Sequence, residues 1–162
     1  MARENPVFHY TPDGYGWAEV TLCFEKGKLS FLASYIGGNP LVDMVSALAA
    51  IAAGSREPQL CEWISEPGYM EVSLQQEDGH VHLKASVVGN ETFPVEDADG
   101  NPKWDLVCEL RVPFRDLAEN VVREADRLLA EAGGAGAFME DWDEEADPFP
   151  TDALSALRAA VA

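Results

Sequence analysis

The chain is poor in basic residues, and no local catalytic motif is visible in it. Lys and Arg number 11 against 29 Asp and Glu, a formal net charge of −18 at neutral pH. Binding to nucleic acid or to an anionic membrane surface needs clustered Lys and Arg, so neither is expected as a partner. There is no run of about 18 apolar residues, which excludes a membrane-spanning helix. Residues 1–6 lack the apolar stretch of a secretory signal, and a cytoplasmic location is expected. Cysteine is scarce: Cys23, Cys61 and Cys108 lie far apart and form no C-x-x-C pair. The usual zinc and redox spacings are thereby removed, and three free thiols buried in a reducing compartment are expected. The G-x-S-x-G elbow, the phosphate-binding loop and the dinucleotide fingerprint are also missing. Carboxylates are so numerous that none stands out as an acid–base pair.

What is present describes an α+β domain. The chain of 162 residues is 47% hydrophobic, enough for one core. Residues 17–36 alternate with a period of two and turn at Lys26-Gly27, which predicts a hairpin. Asn39-Pro40 predicts a helix start, and 41–53 is apolar almost all round, with Asp43 its one charge and Gly54 as its stop. Short strands are expected over 60–65, 69–74 and 80–88, with turns at Glu66-Pro67-Gly68 and Asp78-Gly79. A strand over 104–112 follows a loop-like stretch. It leads into an amphipathic helix from Pro113 to Gly133-Gly134, with Phe114, Leu117, Ala118, Val121, Ala125, Leu128 and Ala132 on one stripe. Pairs four apart, Glu119 with Arg123 and Arg127 with Glu131, are placed to support it. Together these predict one antiparallel sheet of about five to six strands in ββαββ(β)βα order, with helices packed on it, over residues 1–134.

Residues 135–162 form an acidic-aromatic arm in which Thr151 is positioned to cap a short helix carrying Leu154, Leu157 and Val161. Here Phe138, Trp142 and Phe149 are interleaved with Asp141, Asp143, Glu144 and Glu145. Aromatics are favoured anchors at interfaces and carboxylates steer a basic surface, so these seven residues are the candidate partner-binding set. The competing reading folds the aromatics back onto the chain's own core, because the following apolar stripe needs a surface.

Other constellations are weaker. His80 and His82 share a strand face and, with His9, suggest chelation, but no further ligand is identifiable and no metal or other cofactor is expected. The run Asp97-Ala98-Asp99-Gly100-Asn101 begins like a calcium loop, yet its Gly falls at the fourth position and Cys108 stands where Glu is required. A pocket between sheet and helices, reached by Glu62, Glu71, His80, His82 or Arg111, is the alternative site for a small molecule or for an enzyme. A third option is a homodimer joined through helix 40–53 or the arm.

Trp63 with Glu66-Pro67-Gly68, the strand Gly79-His80-Val81-His82-Leu83 and the Trp104 strand leading into an amphipathic helix resemble small bacterial proteins of the immunity type. The resemblance covers about half of the chain. It implies a non-catalytic cytoplasmic protein that binds and neutralises a toxin, here a basic partner matched to an acidic binder.

Overall fold

Side-chain alternation builds two antiparallel meanders in place of the single sheet expected. The structure, a computed structural model, describes residues 6–24, 27–65, 68–88, 95–96, 102–103, 106–140, 142 and 148–162. Strands β1 (Phe8–Gly14), β2 (Trp17–Phe24) and β3 (Gly27–Ser34) pair in that order. Helix α1 (Pro40–Ala52) follows, then β4 (Gln59–Ile64), β5 (Tyr69–Glu77) and β6 (His80–Val88). The two-residue strands β7 (Val95–Glu96) and β8 (Pro102–Lys103) pair with each other, and β9 (Leu106–Pro113) joins β6, giving the order β4-β5-β6-β9. Helices α2 (Phe114–Ala132), α3 (Ala135–Met139) and α4 (Thr151–Val161) end the chain. The fold is α+β, with the chain order richer in strands than predicted. The Lys26 turn residue, Glu66-Pro67, the Asp97–Asn101 stretch, Trp104 and the acids Asp141, Asp143, Glu144 and Glu145 lie outside the described residues.

Each tight hairpin has its local cause. Asp78 and Gly79 both have positive φ (47° and 76°), as a two-residue turn of the hand that matches strand twist requires. Tyr15 and Gly16 make the same turn between β1 and β2 (φ 55° and 78°). Strand β1 was not anticipated. Phe8 and Tyr10 point inward and His9 and Thr11 do not, but Pro12 interrupts the pattern, and the register shifts between Pro12 and Gly14. Proline is tolerated there because β1 is an edge strand.

The inner faces of both sheets meet the helices in one core. Phe8, Val20, Leu22 and Phe31 of the first sheet are buried, as are Trp63, Met70, Leu74 and Leu83 of the second. Helix α1, with Leu41, Met44, Val45 and Leu48 fully buried, packs on α4, α2 and β4. Its apolar surface is thus largely covered within the chain. The Asn39 side chain accepts from the backbone N–H groups of Leu41 and Val42 at 3.0 and 3.3 Å, the cap expected of it. Gly133 ends α2 in a left-handed conformation (φ 90°).

The third segment belongs to the same core. Trp142, Phe149, Leu154 and Leu157 are buried within it, so the described residues of 135–162 pack on the domain. Thr151 is the first helical residue of α4, and Pro150 occupies the cap position with no side-chain hydrogen bond. Arg115 pairs with Glu119 at 2.8 Å, where Arg123 was the expected partner, while Arg127 pairs with Glu131 at 3.2 Å as anticipated. The Arg115 guanidinium also donates to the Val161 carbonyl at 2.7 Å, and Arg158 pairs with Asp126, tying α4 to α2.

Candidate functional site

Two surfaces carry chemistry, and they divide the residues nominated by the sequence. The first is a cleft of about 220 Å³ between the β1–β2 hairpin and the helices. The hairpin supplies Tyr10, Pro12 and Trp17, α2 supplies Leu128 and Glu131, and Phe138 and Trp142 close it from the arm. The arm's aromatics therefore face their own chain. Trp142 and Phe149 are only 8% and 6% exposed, and the Phe138 ring stands 5.7 Å from Tyr10 and 5.8 Å from Phe149. As buried or half-buried groups they are not free anchors for a partner, because the apolar stripe of α4 and the hairpin supply a surface within the chain.

The polar ends of these aromatics are occupied. The Tyr10 hydroxyl accepts from Asn39 Nδ2 at 3.2 Å, and burial pushes its pKa up to about 12 despite that bond, so the ring is a neutral phenol. The Trp142 indole N–H donates to the Gly37 carbonyl at 3.2 Å. Glu131 stands at the rim, its side chain 60% exposed, and shares Arg127 with Glu124. Tyr10, Trp17 and Glu131 were not singled out by the sequence. The alternation of Phe8-His9-Tyr10-Thr11 was the signal for the first, and nothing local announces the other two.

The second surface is the outer face of the four-stranded sheet. Register places Glu62 opposite Glu71, His82 between Gln75 and Arg111, and His80 between Glu77 and Pro113. Glu62, Glu71, His80, His82 and Arg111 thus do share one face, but it is the side away from the core and not a space between sheet and helices. Their period of two, opposite to that of the buried residues, forces this. His82 Nε2 lies 2.6 Å from Glu109 Oε1 and its Nδ1 3.6 Å from Glu77 Oε1, while His80 Nδ1 contacts the Asp78 carbonyl at 3.1 Å. The two rings are held by different partners, and His9 is on the other sheet against Glu124. Among the described residues no group of three or more His, Cys, Asp and Glu is placed to hold a metal ion. Arg111 also lines a shallow polar recess of about 540 Å³ with Arg56, Gln76 and Glu77.

Two of the thiols, Cys61 and Cys108, are unsuited to nucleophilic work. Burial pushes Cys61 up to about 12, assisted by the nearby Asp43 carboxylate, and pushes Cys108 up to about 11. Cys23 is half-buried and not enclosed as expected. Among the described residues Asp43 is the carboxyl moved toward neutrality: burial raises it to about 6, against the lowering effect of the Trp63 indole N–H, which donates to its Oδ2 at 3.0 Å. No protein-family model, curated protein or solved structure matches this chain.

Proposed function

We propose that this chain is a non-catalytic binding protein for a basic protein partner, acting as an immunity-type inhibitor acts on a toxin. One observation carries the reading: Glu62 and Glu71, both exposed, are directly opposite each other on β4 and β5. Like charges at that position destabilise a sheet, so their pairing makes physical sense where a cationic group comes between them. Apolar groups flank the pair. Leu60 is 73% exposed at one end of β4, and Ile36 is 52% exposed in the turn whose Gly37 abuts Ile64 at the other. An acidic centre with apolar edges suits a partner that presents Lys or Arg amid apolar contacts, and the −18 charge speeds encounter. The test is retention from host lysate at low and at high salt by the native chain and by the Glu62→Lys/Glu71→Lys variant. A basic protein held by the native chain, released by salt, and associating at least about tenfold more slowly with the variant supports the reading. Equal association rates for the two chains overturn it.

A second reading, a small-molecule-binding domain, is favoured by the aromatic cleft, which does lie between a sheet and helices although other residues line it. A homodimer through the arm is not favoured, since the arm's aromatics are already packed.

A further inference from the structure

The geometry points to an organic cation as the occupant of the aromatic cleft, specifically a quaternary ammonium group. This rests on the small-molecule reading and goes further by naming the ligand's chemistry. Tyr10, Trp17, Phe138 and Trp142 all line the one cleft. Aromatic faces attract cations through the ring quadrupole, and indoles do so most strongly. The Trp142 indole N–H is given to the Gly37 carbonyl and the Tyr10 oxygen accepts from Asn39, so of the polar hydrogens on these two rings those bonds leave the Tyr10 O–H alone for a ligand. A ligand rich in hydrogen-bonding groups would leave them unsatisfied on entry. A quaternary nitrogen has no N–H to satisfy, and its methyl groups suit an apolar wall.

Charge completes the match. Among the described residues Glu131 is the ionisable carboxylate of the lining, and none of them puts a Lys or Arg side chain there. The nearest guanidinium, Arg127, is held by Glu124 at 2.9 Å and by Glu131 at 3.2 Å, so the three groups together carry one net negative charge. The overall charge of −18 adds a field that concentrates cations near the surface. A volume of about 220 Å³ accommodates such a head group with a short tail. At the mouth, Gly14 (φ 79°) has open space where a side chain would project, which keeps the entrance wide.

The experiment titrates the full chain with choline and with its neutral carbon isostere, dimethylbutanol, following the indole N–H resonances by NMR. Choline is expected to move the Trp17 and Trp142 signals and to bind at least about tenfold more tightly than the isostere, the difference a desolvated cation–π contact supplies. Trp17→Leu keeps an apolar side chain but removes the π face and is expected to weaken choline about tenfold, and Glu131→Gln about threefold. Trp17 is half-buried and Glu131 stands 60% exposed at the rim, and retained indole dispersion verifies folding. If choline and the isostere bind alike, the cation inference falls and the small-molecule reading stands. If neither shifts those two resonances by about 20 mM, both fall. A trimethyllysine peptide is titrated in parallel. Binding about tenfold tighter than choline assigns the ammonium group to a partner's side chain, and weaker or equal binding assigns it to a free small molecule, each in support of the inference.

Discussion

Along β1, helix α2 meets the sheet through polar groups that are fully matched, whereas the joint between β3 and α1 holds a carboxyl that is not. On α2, Asn120, Glu124 and Arg127 share one face. The Asn120 amide accepts from Phe8 N–H and donates to the Phe8 carbonyl, both at 2.9 Å. Glu124 accepts from Tyr10 N–H at 3.0 Å, and Arg127 donates to the Tyr10 carbonyl at 3.1 Å and to Glu124 at 2.9 Å. The helix thus supplies the bonds that a further strand would supply, and the sheet edge is closed against association. At the joint, Gly37 and Gly38 let the chain pass against Ile64 and Asp43, and Trp63 and Trp142 each give one indole N–H to it. Among the described residues no cation offsets the burial of Asp43, and its pKa rises as a result. Charge compensation, not burial alone, separates the two seams: Glu124 is the more deeply buried acid, yet it has Arg127.

The largest effect is expected where the matched seam is broken. Asn120→Leu is close in size but leaves the buried Phe8 N–H and carbonyl without partners, at a loss of about 3 kcal/mol in denaturant unfolding. The exposed edge is also expected to cause concentration-dependent association, read by sedimentation. An unfolding midpoint unchanged by this substitution would show that α2 does not hold β1. At the other seam, Gly37→Ala sets a methyl 2.9 Å from the Ile64 backbone nitrogen, and a backbone atom of a paired strand cannot give way as a side-chain tip can. A loss of about 2 kcal/mol is expected, with a shift of the Trp142 indole resonance as its bond to Gly37 is strained. A loss without that shift would place the damage in the Ile64 contact alone.

The difference between the seams also marks what was legible in the sequence. Repeating patterns were: the alternation of Val81, Leu83 and Ala85 fixed both their burial and the outward face of His80 and His82. The apolar stripe of α2 and the Asn39 cap were equally plain, since each is a local signal. Asn120 and Glu124 interrupt that same stripe, and a polar pair four apart on a buried face was a readable sign that something polar waited opposite. The single-sheet expectation failed because hairpin signals specify neighbours within a meander and carry no information across a helical crossover such as α1. The cleft was hidden for the same reason. Tyr10, Trp17 and Glu131 come from three elements and Trp142 from the bend after α3, and only packing brings them together. The arm's aromatics left two readings open in the sequence, and the burial of Trp142 and Phe149 agrees with the one that folds them onto the chain's own core.

The smallest effect is the most specific to the unmatched seam. The Asp43 carboxyl stands at about 6 in the folded chain against 3.8 when unfolded, so between those values the folded state holds the extra proton. Stability from this group is therefore complete below pH 3.8 and declines as pH rises to about 6, beyond which the buried charge is a constant penalty. Asp43→Asn keeps an oxygen for the Trp63 indole N–H and removes the charge. The variant is expected to match the native chain near the acid end of that window and to exceed it by about 1–2 kcal/mol at neutral pH, after allowance for partial solvent contact. The difference between the two unfolding curves across pH isolates Asp43 from the other carboxylates, whose contributions cancel. Parallel curves would mean that water or relaxation at the joint already screens the carboxylate. The two seams would then differ in geometry and not in charge.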